Sequence, residues 1–460
     1  MSSTVQTEKA QTNTADEPMR DVFDPEMTRE LHGKTVAYLQ QQVPTTMEEA
    51  EEHAWSAPLD EIDVAHPVLF KNNCFWPYFE RLRKEDPVHY CPNSGVNGPH
   101  WSITKYKDIM EIDTNHKQFS SDSEYGGILI GERPKEVELP MFIAMDPPKH
   151  DVQRRTVVPA VAPDNIAKLA PIVRKRAGDI LDSLPIGEEF DWVDKVSKEL
   201  TAMTLATLFD FPYEQRRKLT FWSDLVLSPP GIGGLVETLE EKQAHMNECS
   251  TAFMNLWGER LNSEPKIDLI SMLAHGEDTH NMSPIELFGN VILLIIGGND
   301  TTRNTISGSL YALNKNPDQY NKLRSNPALI PNMVSETIRW QTPLAHMRRT
   351  AVEDVTFRGK HIKKGDQVVM WYVSGNYDDE VIEDPYRYNI ERKNPRQHIS
   401  FGYGIHRCVG NRVAEMQLNI IWEEILKRFS DINLIQEPDR TLSNFVRGYT
   451  KMPVIIPSRL

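Results

Sequence analysis

Apolar positions recur at helical spacing through most of the chain and alternate only in a few short runs, a pattern that predicts many helices and little sheet. Residues 27–42 and 45–55 are polar and amphipathic, as short helices wrapping the outside would be. From Pro67 the pattern becomes denser: residues 76–84 predict a helix, and residues 88–90 and 101–103 predict short strands. Residues 126–131, Gly-Gly-Ile-Leu-Ile-Gly, read as a flexible apolar loop because of their glycines. Beyond Asp146-Pro-Pro, helical periodicity dominates residues 165–184, 192–209, 213–227 and 234–261. The break at residues 227–234, Leu-Ser-Pro-Pro-Gly-Ile-Gly-Gly, is a candidate mobile lid. A further long helix starts from a cap at Ser283, with Pro284 at its first position, and runs beyond Leu310. Another covers residues 330–340, residues 355–373 turn strand-like, and a helix over 408–429 precedes a hairpin-like tail. The fold class is mainly α, with a smaller β-rich region.

Composition sharpens this picture in three ways. A chain of 460 residues with 39% apolar content builds a core large enough to enclose a cofactor, either as one large helical domain or as two domains. A formal net charge of -15 argues against nucleic acid or an anionic membrane as a general partner. The cysteines Cys74, Cys91, Cys249 and Cys408 lie far apart with no paired spacing, so disulfides are not expected and a reducing, cytoplasmic location is. Residues 1–18 are rich in Ser, Thr, Gln and Glu and predict a disordered tail, neither signal peptide nor anchor. The longest apolar run, 291–296, is too short to span a bilayer, so no transmembrane segment is expected.

The segment that carries chemistry is Ser400-Phe-Gly-Tyr-Gly-Ile-His-Arg-Cys-Val-Gly410. A thiolate that ligates haem iron needs a tight loop to deliver the sulfur, donors to moderate its charge, and a helix N-terminus that favours an anion. Gly402 and Gly404 permit the turns, Phe401 shields the sulfur, and Gly410 allows close approach of a flat macrocycle. A lone cysteine opening a helix is ordinarily a buried structural residue. Zinc is disfavoured because no second cysteine or spaced histidine pair lies nearby.

The full string Phe-Gly-x-Gly-x-His-x-Cys-x-Gly resembles the haem-binding loop of the cytochrome P-450 superfamily. The resemblance extends over residues 62–456 and implies that fold: a large helical domain, a smaller β-rich region and haem b buried between two long helices, with Cys408 as the axial thiolate. On this division residues 19–61 form a helical extension and residues 62–460 the monooxygenase domain. Glu336-Thr-Ile-Arg339 places two charges on one helical face; such pairs are usually solvated and weak, but this one matches the family's Glu-x-x-Arg brace. Gly297-Gly-Asn-Asp-Thr-Thr302 would ordinarily end a helix. Here it resembles the family's oxygen-binding stretch, a local distortion of a continuing helix, with Asp300 and Thr301 as carboxylate and hydroxyl of a proton relay. His150 and Arg154, four residues apart on a proline-initiated helix that could equally be a bland surface helix, resemble the family's propionate-binding pair. Arg349, His398 and His406 are expected around the cofactor with them, together with Phe401, Gly402 and Gly410.

The wording around these landmarks is similar to the bacterial alkane and fatty-acid terminal hydroxylases of the superfamily, notably Met141-Phe-Ile-Ala-Met-Asp-Pro-Pro, Leu294-Ile-Ile-Gly-Gly-Asn-Asp-Thr-Thr and Asn444-Phe-Val-Arg-Gly-Tyr449. The implied substrate is a hydrophobic small molecule with a terminal methyl, oxidised with O2; a steroid side chain is the rival. Leu293 and Ile296, one turn before Gly297, should face it, with Leu344, Met347 and Phe445 as further walls and residues 128–130 at the entrance. Each of these is by default ordinary core. The resemblance also implies an iron–sulfur ferredoxin and its reductase as electron donors, and Lys393, Arg396, Arg407 and Arg412 suit docking of an acidic carrier. A haem sensor or storage protein, the alternative from another class, would need no proton relay.

Overall fold

The computed structural model describes residues 24–133 and 138–460; the expected tail lies outside the described residues. Its axis is the helix Pro284–Lys315, 32 residues long. Ser283 caps it by accepting the Glu286 N–H, and Pro284 takes the first position. The helix is continuous through Gly297–Thr302, where the sequence suggested a distortion. The Thr301 hydroxyl donates to the Gly297 carbonyl at 2.9 Å, a back-bond that leaves the α-helical register intact. Helices Glu199–Phe209, Arg216–Leu227, Ile330–Gln341 and Asn411–Leu426 pack around this axis, and Pro163–Asp182 lies along the last of them.

Most expected helices are present, and the departures have local causes. The helix expected over 192–209 opens with a wider π-helical stretch, Val193–Lys198. The one expected from Gly234 begins at Leu239, because Gly231 and Gly233 take positive φ and Thr238 forms a capping box with Glu241. The one expected from Cys408 begins at Asn411, so the cysteine stays in the loop. Helices Tyr106–Thr114, Leu269–His275 and Pro317–Ser325 were not expected. In the tail the consecutive strands Asp439–Arg440 and Tyr449–Lys451 pair antiparallel, as the expected hairpin would, whereas Pro453–Ile455 pairs with Glu189–Asp191 and Asn433–Leu434.

The main sheet runs Val88–Cys91, His100–Ile103, Gln367–Met370, Met347–Ala351, Phe119–Ser120. Only the His100–Ile103 and Gln367–Met370 pair is parallel. Met347–Ala351, unexpected as a strand, reads as a buried one because every residue in it is covered. The extension forms helices Pro25–Leu39 and Met47–Ser56; the second buries Ala50 and Ala54 in a cluster with Tyr78 and Phe79. No helix among the described residues is long and apolar enough to cross a membrane.

Glu336 and Arg339 are fully buried and joined by a fork of two hydrogen bonds, each 2.8 Å. Arg392 donates to the same carboxylate at 2.9 and 3.2 Å, and Arg339 reaches the carbonyls of Asn376 and Pro385 at 2.9 Å each. The pair therefore locks the segment before the cysteine loop onto the Ile330–Gln341 helix. Glu336→Ala strips both guanidinium groups of their counter-charge and should cost about 3–5 kcal/mol in denaturant unfolding; a loss below about 1 kcal/mol would show the pair to be dispensable.

Candidate active site

The cysteine loop is shaped by two left-handed glycines. Gly402 and Gly404 both sit at φ +66°, and a Cβ at Gly404 would stand 2.5 Å from the Asp113 carbonyl oxygen. The Cys408 N–H donates to the Phe401 carbonyl at 2.8 Å and closes the loop. Burial pushes the Cys408 thiol above its ordinary pKa, opposed by the backbone N–H groups of Gly410 and Asn411 and by the Arg154 and Arg407 charges. Those donors are the ones a thiolate ligand needs. The exposed surface of Cys408 opens onto an internal cavity of about 620 Å³ rather than onto bulk solvent.

That cavity joins the expected residues from distant segments. Leu293, Ile296, Gly297 and Thr301 of the long helix line it, as do Leu344, Met347, Phe445 and, on the loop side, Phe401, Gly402, His406, Cys408 and Gly410. Arg154 and Arg349 reach it too. Ile128 and Ile130 stand at one edge, and Leu227, Ser228, Pro229 and Pro230 place the candidate lid over it. The extension helix contributes Leu31, Thr35 and Leu39, a contribution its sequence did not announce.

Other expected residues lie outside the lining. His150 stacks edge-on against His406 with ring centroids 4.4 Å apart. His398 sits behind the loop, 5.4 Å from the Phe401 ring, and does not reach the cavity. Asp300 points away from it, to the Ser223 hydroxyl and Arg303. Arg303 also pairs with Asp224, which Lys198 meets at 2.9 Å. Burial outweighs Arg303 and raises the Asp300 pKa to about 6.

Sequence reasoning missed Asp113. It is buried and accepts from Arg349 at 2.7 Å, the Tyr372 hydroxyl at 2.9 Å and the Tyr403 N–H at 2.7 Å. It sits in the helix Tyr106–Thr114, whose sequence carries no motif, so only the fold could reveal it. Thr302, Thr305 and His346 also line the cavity unannounced.

The geometry accommodates a flat, doubly anionic macrocycle. A Cβ at Gly297 or Gly410 would meet nothing within 4 Å, leaving room on the helix side and the loop side alike. His406 Nδ1 is buried without a partner and can donate beside Arg154 while its Nε2 accepts the Ser121 hydroxyl; His150 donates Nδ1–H to Asp151 at 2.8 Å, so its equally unpartnered Nε2 donates only when the ring is protonated.

The cytochrome P450 family model matches residues 97–447. The chain belongs to the cytochrome P-450 family. Among solved structures it is similar to the cytochrome P450-153 of Novosphingobium aromaticivorans, at 44% identity and TM-score 0.80, covering 88% of this chain and 99% of that one. Linalool 8-monooxygenase of Pseudomonas putida is 34% identical over 86% of this chain and 99% of its own length. Methyl-branched lipid omega-hydroxylase of Mycobacterium tuberculosis is 29% identical over 82% and 90%. The P-450 cofactor is haem b on an axial cysteine thiolate, and Cys408 supplies that thiolate.

Two outcomes test this site. Cys408→His should abolish the red-shifted band that a thiolate gives the reduced carbon-monoxide complex, and its persistence would reassign the ligand. Asp300 has a folded-state pKa above its unfolded one, so its burial is penalised once it ionises. Its contribution to stability should therefore fall as pH rises from about 4 to about 6 and stay low above that. Asp300→Asn should remove this component, seen as a more positive slope of unfolding free energy against pH in that window; an unchanged slope would contradict it.

Proposed function

We propose that this P-450 hydroxylates the terminal methyl of medium-chain alkanes, fatty acids or related aliphatic chains, with O2 and electrons from an iron–sulfur ferredoxin. The observation that carries the reading is the cavity wall: Leu293, Ile296, Leu344, Met347 and Phe445 line the same cavity as Thr301 and Cys408, and a Cβ at Gly297 would meet nothing within 4 Å. An alkyl chain offers no polar handle, and a methylene in an apolar pocket discriminates by only about 1–3 kcal/mol. Position of attack must then come from shape, through a channel that presents the chain end first. The relatives named for omega-hydroxylation of a methyl-branched lipid and for 8-oxidation of linalool support an aliphatic substrate.

Haem, when bound, supplies the oxygen-activating iron, and the chain supplies binding and protons. Thr301 lines the cavity with its hydroxyl on the Gly297 carbonyl, and on release from it that hydroxyl would be a donor for oxygen bound in the cavity. Asp300, with a pKa of about 6, takes and gives protons near neutral pH. Its contacts run through Arg303 and Asp224 to the partly exposed Lys198, a route to solvent. His150, Arg154, Arg349 and His406 hold the cofactor carboxylates, with His398 as support behind the loop. Lys393, Arg396, Arg407 and Arg412 are exposed on this acidic protein and suit an acidic electron carrier.

The test is NADH-driven turnover with a ferredoxin and its reductase on octane, decanoic acid and a sterol, with products identified by position. Terminal alcohols should dominate; a sterol giving the fastest turnover and the largest haem spectral shift would overturn the reading. In the same assay Thr301→Ala should lower product per NADH by roughly tenfold or more and release peroxide instead. Unchanged coupling would remove Thr301 from the relay.

A further inference from the structure

Away from the haem cavity, Asp63, Cys91 and His100 meet beneath the extension. Cys91 ends strand Val88–Cys91 and His100 begins its antiparallel partner; the two are directly paired in register, so their side chains share one face. Asp63 arrives from the segment that joins the extension to the core. A ring nitrogen of His100, the Cys91 sulfur and an Asp63 carboxylate oxygen all lie within 4.8 Å of one another.

The second observation is the state of His100. The residue is fully buried, and its Nδ1 donates to the Gly98 carbonyl at 3.2 Å. That bond fixes the tautomer and leaves Nε2 with an unshared pair. Nε2 is buried and has no hydrogen-bond partner in the protein. A buried acceptor left bare costs about 1–3 kcal/mol, so something should meet it.

The surroundings match a cation. Cys91 is buried and its thiol has only a weak contact, 3.7 Å to the Asn93 carbonyl. Asp63 is held in place from both oxygens: Oδ1 accepts the Ala65 N–H at 2.8 Å, and Oδ2 accepts the Tyr38 hydroxyl at 2.5 Å and the Ser94 hydroxyl at 2.9 Å. Asn97 donates to Tyr38 and Ser94 at 3.3 and 3.1 Å, completing an outer layer of oriented ligands.

We propose that Asp63, Cys91 and His100 bind a zinc ion, with water or the Tyr38 phenol oxygen in the fourth position. One nitrogen, one sulfur and one oxygen suit zinc's borderline softness, and a thiolate plus a carboxylate neutralise its charge. The ligand atoms must close to about 3.3–3.9 Å for a tetrahedral shell, a contraction supplied by rotation of the loosely held Cys91 side chain and a small joint shift of Asp63 with its donors. Binding breaks the Cys91 S–H bond; the proton passes to solvent and the sulfur pair goes to the metal. The ion staples the extension to the sheet through the Asp63 segment and its bond to Tyr38. That helix also presents Leu31, Thr35 and Leu39 to the haem cavity, so the staple fixes part of the cavity mouth.

The experiment uses the tag-free, haem-loaded full chain, incubated with excess zinc sulfate, desalted, and assayed for metal by plasma mass spectrometry against haem. About one zinc per haem is expected. Cys91→Ser and His100→Phe should each lower retention by roughly tenfold or more, with the reduced carbon-monoxide spectrum unchanged. Zinc should also raise the thermal midpoint of the parent chain and not that of Cys91→Ser. A parent chain that retains no zinc would assign Nε2 to a buried water and overturn the proposal. Equal retention by the parent chain and Cys91→Ser would overturn it as well. Should His100→Phe fail to fold, the near-isosteric Cys91→Ser decides alone.

Discussion

The carboxylate of Asp113 ties three parts of the molecule together at the edge of the haem cavity. It holds the Arg349 guanidinium from the sheet, the Tyr372 hydroxyl and the backbone of Tyr403 in the cysteine loop. With Gly404 pressed against the Asp113 carbonyl, the loop has only one way to lie on that helix. The position of the Cys408 sulfur is therefore set by a helix nearly three hundred residues upstream, and the rest of the site depends on that placement. Buried charges are expensive unless fully partnered, and here each partner does a separate positioning task.

The same logic recurs in two further buried ion groups with different outcomes. Glu336 is met by two guanidinium groups with well-aligned hydrogen bonds, which suits a fixed brace. Asp300 is met by one guanidinium shared with Asp224, and Arg303 Nε and Nη1 remain without partners. The first arrangement holds its carboxylate rigidly; the second leaves a carboxyl poised between its charged and neutral forms. The two buried groups thus differ in how completely the carboxylate is satisfied.

The extension is more than a wrapping. Its first helix reaches the cavity, and its connection to the core passes through Asp63 and the polar cluster around Tyr38. Residues before the family-matched region thereby take part in shaping the space a substrate would enter.

The cysteine loop, the Glu336–Arg339 pair and the sequence of the long helix were legible because their chemistry depends on residues close together along the chain. Glycine conformation, capping at Ser283 and the paired charges are all local. The cavity walls Leu344, Met347 and Phe445 were legible only through resemblance, since each alone reads as core. Asp113, the outward turn of Asp300, the continuity of the helix at Thr301 and the retreat of His398 were not legible at all. Each depends on which segment packs against which. So does the pairing of Pro453–Ile455 with the distant strand Glu189–Asp191. Local sequence determined the elements and the ligand-bearing loop; tertiary packing decided which polar groups share a buried space, because only there does desolvation force every charge to find a partner.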